Sequence, residues 1–171
     1  MKKGTRDLLK KRAAAVAIES EMKTSVSDVI ELIIFKLGAE TYGIASSFVR
    51  EIYPLKEYTP LPGLPPFILG LIHIRRQILP VVDLKVFLDL PNQGLGELNK
   101  VIILQNEQME FGILADVVQG TQSIEPDGIR EAPPTIIRIG EEYLMGVTRE
   151  RLIVLNAESL LTDKRLIVNN E

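Results

Sequence analysis

His73 is the only histidine among 171 residues, so any Ser-His-Asp relay would have to pass through it. Asp83 could face it across a hairpin, with Ser46 or Ser47 as the nucleophile. His73 alternates with Ile72 and Ile74, however, and that pattern puts it on the outward side of a strand. Cysteine is absent, which removes a thiol nucleophile, thiolate metal sites and a disulfide framework. The acids Glu107, Glu110, Asp116, Glu125 and Asp127 are scattered, without calcium-loop spacing or a histidine pair beside them, and Glu141-Glu142 suits a solvated turn. Gly94 and Gly96 open no dinucleotide fingerprint, no Gly-Lys-Ser/Thr phosphate loop occurs, and no aromatic residues alternate with basic ones as a base-stacking surface requires. What is left is recognition rather than turnover. Arg75-Arg76-Gln77 interrupts two apolar runs and must form an exposed hairpin tip, and Arg50-Glu51 lies among Phe48, Val49 and Ile52. Arginine suits interfaces because its planar fork makes directional hydrogen bonds while its stem packs on apolar surface. An ordinary charged turn is the plain alternative.

The elements that must position these residues are β in texture. Strands are expected at 30–37, 41–46, 68–74, 78–84, 100–106, 110–117, 135–139, 143–147 and 151–155, where β-branched runs are punctuated by Gly, Asn and Pro. Helical patterning is brief, at Ser46 to Glu51 and Ala157 to Leu161. Pro60, Pro62, Pro65 and Pro66 define an irregular extended loop. Pro91 to Gly96 makes a second loop and Pro133-Pro134 a third, while Pro80 suggests an edge position or a strand start. One pattern is written twice. Leu32 to Phe35 lies over Val101 to Leu104, Tyr42-Gly43-Ile44 over Phe111-Gly112-Ile113, and Phe67 to Leu71 over Tyr143 to Val147. Each copy ends in an apolar strand closed by a polar residue, Leu79 to Asp83 and Leu152 to Asn156. Repetition at this period points to two related supersecondary units sharing a core, and many short strands favour small barrels over an open α/β sheet.

Charge is distributed unevenly. Residues 1–13 hold six basic residues and one acid, +5, which leaves −8 for residues 14–171 out of a total of −3. An acidic body is a poor nucleic-acid surface, because that affinity rests on neutralising phosphates. Residues 5–22 suit a partly solvated helix with Thr5 as N-cap, followed by a polar linker over 23–28. A docking or membrane-surface helix is the alternative, and its flanking acids argue against the membrane. No apolar stretch reaches membrane-span length. The short run Ala13 to Ile18 is followed at once by Glu19 and Glu21, so no secretory signal is expected. A cytosolic protein is the simplest reading.

The ordered segments resemble a known family. Phe35 to Ile44 followed by Val49-Arg50-Glu51-Ile52 is similar to the opening of CheW-type chemotaxis coupling proteins. Leu61-Pro62, Pro65 to Gly70, Arg75 and Leu79 to Lys85 follow in that family's order and at about its spacing, and the second half agrees more loosely. The resemblance covers roughly residues 30–162. It implies two five-stranded SH3-like β-barrels with an apolar core between them, intertwined, with halves near 29–92 and 98–156 inside a domain over 29–171. It also implies a cytoplasmic adaptor with no catalytic activity, cofactor or metal. Such an adaptor would bridge the cytoplasmic tip of transmembrane chemoreceptors to the regulatory domain of a CheA-type histidine kinase, assembling into rings or arrays at the inner face of the membrane.

Site residues carry over position by position. Val49 and Glu51 match the family's Val-x-Glu-Ile receptor-groove segment, and Arg75 matches the arginine of its Asn-Leu-Arg-Gly turn. Gly70, Gly112 and Gly146 match family glycines of structural character, with Gly70 placed near the kinase contact. The chain departs from the pattern at His73-Ile74-Arg75-Arg76, where Arg76 replaces the turn glycine. Either the turn type differs or left-handed strain is tolerated. Two other readings stay open: a kinase-binding competitor without receptor contact, and a coupling protein of a pilus-linked pathway.

Overall fold

The computed structural model describes residues 29–91, 94–134 and 141–166. The helix and linker expected over 1–28 and the strand expected over 135–139 lie outside the described residues. Ten strands are described: β1 (Ile30–Leu37), β2 (Glu40–Ala45), β3 (Val49–Pro54), β4 (Ile68–Ile74), β5 (Gln77–Val82), β6 (Lys100–Gln105), β7 (Glu110–Ala115), β8 (Val117–Ile124), β9 (Leu144–Val147) and β10 (Ile153–Leu155). Two short helices, α1 (Leu84–Phe87) and α2 (Ala157–Leu161), follow β5 and β10.

The strands form two five-stranded sheets, in the orders β8-β1-β2-β10-β9 and β3-β6-β7-β5-β4. This is the expected all-β pair of small barrels. Replacing each strand of the first copy by its counterpart in the second turns one order into the other, so the sequence repeat is a structural pseudo-two-fold. Neither sheet is built from one half of the chain. Each takes the first hairpin of one copy and the last three strands of the other.

Pairing repeats residue by residue. Ile34↔Gly43 on β1–β2 recurs as Ile103↔Gly112 on β6–β7, and Gly70↔Val81 on β4–β5 recurs as Gly146↔Val154 on β9–β10. The polar residues that close the copies have the same task. Asp83 caps α1 by accepting from the Lys85 amide, and Asn156 caps α2 by accepting from the Ser159 amide.

Why the key strands read as unbroken apolar runs follows from where their faces go. Ile33, Phe35, Tyr42 and Ile44 join Ile102, Leu104, Phe111 and Ile113 in a core shared by the two sheets. The alternate residues Leu32 and Ile34 pack inside the first barrel with Leu152 and Val154. Val101 and Ile103 pack inside the second with Ile72, Ile74, Leu79, Val81 and Leu114. β1 and β6 are therefore buried on both faces, which demands apolar residues at consecutive positions.

Three expectations need correction. The helical pattern at Ser46 to Glu51 holds only as a 3₁₀ turn over Ser46–Phe48, after which the chain becomes β3. β8 has no counterpart among the expected strands, because Val-Val-Gln-Gly-Thr-Gln-Ser-Ile is largely exposed and, among the described residues, pairs only with β1. Pro80 sits within an inner strand, between β7 and β4. Its missing N–H is harmless there, because β5 pairs with β7 only at Val81 and Val82, just beyond it.

An aromatic latch holds the end of the described chain. Phe87 stands edge-on to both Phe67 and Tyr143, with ring centroids 5.1 and 5.3 Å away, and the Arg165 guanidinium lies 4.8 Å from the Phe87 centroid. The Tyr143 hydroxyl donates to Asp163 and accepts from Arg165. Burial first, and the Asp163 hydrogen bond second, push the Tyr143 phenol up to about 12. The folded value lies above the unfolded one, so this contribution to stability is complete below pH about 10 and is lost as the pH climbs through about 12. Ultraviolet titration is expected to show Tyr143 ionising late, as the part of the late phenolate phase that Tyr143→Phe removes, and Asp163→Asn should bring that part back toward the ordinary value. A late phase that survives Asp163→Asn unchanged would remove Asp163 from the cause.

Candidate functional site

The residues proposed for catalysis are not assembled. His73 is exposed on β4 opposite Ile78, Asp83 is spent on its helix cap, and the Ser46 hydroxyl donates to Glu31 at 2.9 Å. Among the described residues no group of three or more acids or histidines could hold a metal ion.

Of the residues expected to take part in recognition, Arg50, Glu51 and Arg75 meet at one mouth of the second barrel. β3 carries a bulge: Val49 pairs with Leu104 and Glu51 with Ile103, leaving Arg50 as the extra residue. A bulge breaks the alternation that would put residues i and i+2 on one face. Val49 therefore packs with Ile52 on the shared core, whereas Glu51 stands opposite Ile103, which points into the barrel. Glu51 Oε1 lies 3.3 Å from Arg75 Nη2, and its Oε2 lies 3.3 Å from Arg50 Nε without hydrogen-bond geometry. The structure thus joins Glu51 to Arg75 and turns Val49 to another face.

Arg50 is itself pinned. Its Nη1 donates to Gln77 Oε1 at 2.8 Å and to Glu110 Oε2, while Gln77 Nε2 donates to Glu110 Oε1 at 2.6 Å. The Glu110 hydrogen bond leads the causes that raise the Arg50 guanidinium further above its ordinary value. Charges alternate from Glu110 through Arg50 and Glu51 to Arg75, and the series caps the apolar barrel interior. Only its last member reaches well into solvent: the Arg75 side chain is 70% exposed, against 19% for Glu51. Arg50 was legible only as an interface type, and the parts played by Gln77 and Glu110 carried no signal, because they lie 27 and 60 residues away from it in the chain.

The turn that presents Arg75 keeps left-handed geometry despite lacking glycine. Ile74 pairs with Gln77, and Arg75 and Arg76 between them have φ of 49° and 72°, which is the two-residue hairpin geometry usually filled by Asn-Gly. Of the two sequence alternatives, strain is tolerated. Left-handed backbone costs about 1–2 kcal/mol per non-glycine residue, and Gln77 and Arg75 anchor the turn from either end.

Clefts flank β3. One of about 650 Å³ is lined by Ser47, Phe48, the turn Gln105 to Gln108 and Glu158. Another of about 350 Å³ runs between Tyr53-Pro54-Leu55 and Ile72-His73-Ile74. Gly70 belongs to neither. It is buried in β4, with a side chain at that position destined to meet the Thr59 carbonyl at 2.6 Å, so its own role is close packing under Tyr58 and Thr59.

Paired small barrels around a common core, with a charged fork raised at one barrel mouth, define a binding module. The comparisons place it further. The model of the CheW-like domain family matches residues 31–165. A chemotaxis protein CheW of Klebsiella aerogenes is 34% identical over 82% of this chain and 87% of its own length, and one of Treponema pallidum 31% identical over 80% and 84%. The crystal structure of the scaffolding protein TtCheW from Thermoanaerobacter tengcongensis superposes with a TM-score of 0.69 at 26% identity, covering 83% of this chain and 90% of that one. The chain belongs to the CheW-like domain family.

Proposed function

We propose that this protein is a non-enzymatic scaffold that couples chemoreceptors to a CheA-type histidine kinase on the cytoplasmic side of the membrane. The observation that carries the reading is the Glu51–Arg75 contact at an exposed turn, at the two positions where the family pattern puts receptor recognition. The receptor's helical hairpin tip packs along β3 and the β4–β5 turn. Arg75 sets its register through charge and hydrogen bonding, and Val49 contributes apolar surface from the adjoining face. The kinase's regulatory domain takes a separate surface around β4 near Gly70. Gly70 itself is buried, so contact falls to neighbours such as Leu61, exposed two residues beyond Thr59. Among the described residues no helix is long and apolar enough to cross a membrane, and attachment to the membrane runs through the receptors.

Titration of the full chain against a receptor cytoplasmic fragment and a CheA-type regulatory domain tests this. Both should bind without excluding each other, and Arg75→Glu should weaken receptor binding several-fold or more while sparing the kinase. Binding to the kinase alone would make the protein a competitor for the kinase, and an Arg75→Glu variant with unchanged receptor affinity would remove the groove assignment.

A further inference from the structure

We propose that Arg50, locked by Gln77 and Glu110, is a positioning residue that holds Glu51 and Arg75 so that the barrel mouth presents a cationic fork, Arg75 with Arg76, to an acidic side chain on the partner. The inference rests on the receptor reading above and specifies its chemistry.

Three observations support it. First, the acids at the mouth are answered from within. Glu110 is bonded to Arg50 and Gln77, and Glu51 lies between the guanidinium groups of Arg50 and Arg75, so neither acid presents unbalanced charge outward. Second, Arg75 spends one nitrogen on Glu51 at 3.3 Å and keeps 70% of its side chain in solvent. A guanidinium has five N–H donors in a fixed fork, and those left over match a carboxylate better than any other side chain. Arg76 is exposed beside it. The local sum over Arg50, Arg75, Arg76, Glu51 and Glu110 is +1, in a chain whose residues 14–171 carry −8. A positive spot on an acidic body steers an acidic partner to it and repels that partner elsewhere.

The third observation is an internal control. The pseudo-two-fold maps Arg50 onto Gln119, Glu51 onto Gly120 and Glu110 onto Thr41, since Phe35 pairs with Val118 and Ile34 with Gly120 as Leu104 pairs with Val49 and Ile103 with Glu51. The other barrel mouth keeps the bulge and lacks the Arg50–Glu51–Glu110 series, although its β9–β10 turn carries exposed Arg149, Glu150 and Arg151. The fold needs the bulge at both mouths, whereas the charged series exists at one, so it is not a requirement of the architecture.

Isothermal titration of full-length variants with the receptor cytoplasmic fragment tests the proposal, with the kinase regulatory domain as the measure of folding. Arg50→Ala is expected to lower receptor affinity about tenfold, and to add little in an Arg75→Ala background, because coupled residues are non-additive. Kinase affinity should hold throughout. Arg75→Glu with Arg76→Glu should cost more than the corresponding double alanine variant, since reversal repels a carboxylate that neutralisation merely releases. If Arg50→Ala binds receptor as wild type while Arg75→Glu is impaired, the positioning role falls and the receptor reading stands. Additive losses from Arg50→Ala and Arg75→Ala would overturn it equally. Equal losses from reversal and neutralisation would overturn the acidic partner, and wild-type receptor binding by Arg75→Glu would overturn both readings. Should Arg50→Ala also lose kinase affinity, Gln77→Ala replaces it, with the same expected pattern.

Discussion

A single methyl group on Gly146 is expected to lower stability by about 3–5 kcal/mol, roughly 1–2 from left-handed backbone and the rest from overpacking. Gly146 has φ of 148°, and a Cβ there would stand 2.2 Å from the Arg130 carbonyl oxygen and 2.6 Å from Ile129 Cγ2. The carbonyl cannot retreat cheaply, because Arg130 and Val147 exchange both backbone hydrogen bonds, at 2.9 and 2.8 Å. Gly70 repeats the arrangement: its Cβ would meet the Thr59 oxygen at 2.6 Å, and Thr59 exchanges both bonds with Leu71 at 2.8 and 2.9 Å. In a domain whose stability is of order 5–15 kcal/mol, Gly146→Ala should drop the thermal midpoint by about 6–20 °C. Gly128→Ala, where a Cβ would meet nothing within 4 Å, should melt close to wild type. Equal midpoints for the two variants would show that the close approach at Gly146 relaxes freely.

Asp116→Ala should be nearly as damaging, by a different route. Lys85 is 2% exposed and its ammonium lies 2.7 Å from Asp116 Oδ1. The other carboxylate oxygen accepts from the Gly38 amide at 2.7 Å, and Asn99 spans the Ala115 carbonyl at 2.9 Å and Asp116 at 3.4 Å. Removing the acid strands a buried cation, which costs about 3–5 kcal/mol, and leaves the Gly38 amide of the β1–β2 turn without its acceptor. Replacing the pair by apolar groups is often close to neutral. Asp116→Ala with Lys85→Met is therefore expected to regain much of what Asp116→Ala alone loses in chemical denaturation. If Asp116→Ala alone unfolds at the wild-type denaturant concentration, the 25% exposure of the Asp116 side chain already lets water stand in for it.

The parts of the molecule legible in sequence were those whose cause is local. β1 and β4 were placed residue for residue because burial on both faces or strict alternation leaves a plain signature. Asp83 and Asn156 were marked as the polar ends of matching strands, and they are the caps of α1 and α2. β3 was taken for a helical turn because its bulge at Arg50 breaks the alternation that announces a strand. β8 escaped because an exposed edge strand has no need of apolar residues. The repeat shows which segments are alike, but likeness does not say which strands bond, so the exchange between halves came only as what the family resemblance implies. The site was half legible. Glu51 and Arg75 came from the family pattern, whereas the brace through Arg50, Gln77 and Glu110 depends on contacts between distant segments. The same family pattern joins Val49 to Glu51, and the bulge turns the two side chains to different faces.

The exchange of strands has a consequence for how the chain is made. β1 and β2 leave the ribosome early, yet the partners on their outer edges are β8 and β10. Between the end of β2 at Ala45 and the end of β10 at Leu155 lie 110 residues, about 6–22 s of synthesis at 5–20 residues per second. The first hairpin has apolar side chains on both faces and two open edges until β8 is made, ending at Ile124, and one open edge from then until β10. The second sheet closes sooner, because its last strand, β7, ends at Ala115. The nascent chain therefore completes the barrel with the charged mouth while the other still waits, and the early hairpin is the segment on which a chaperone would act.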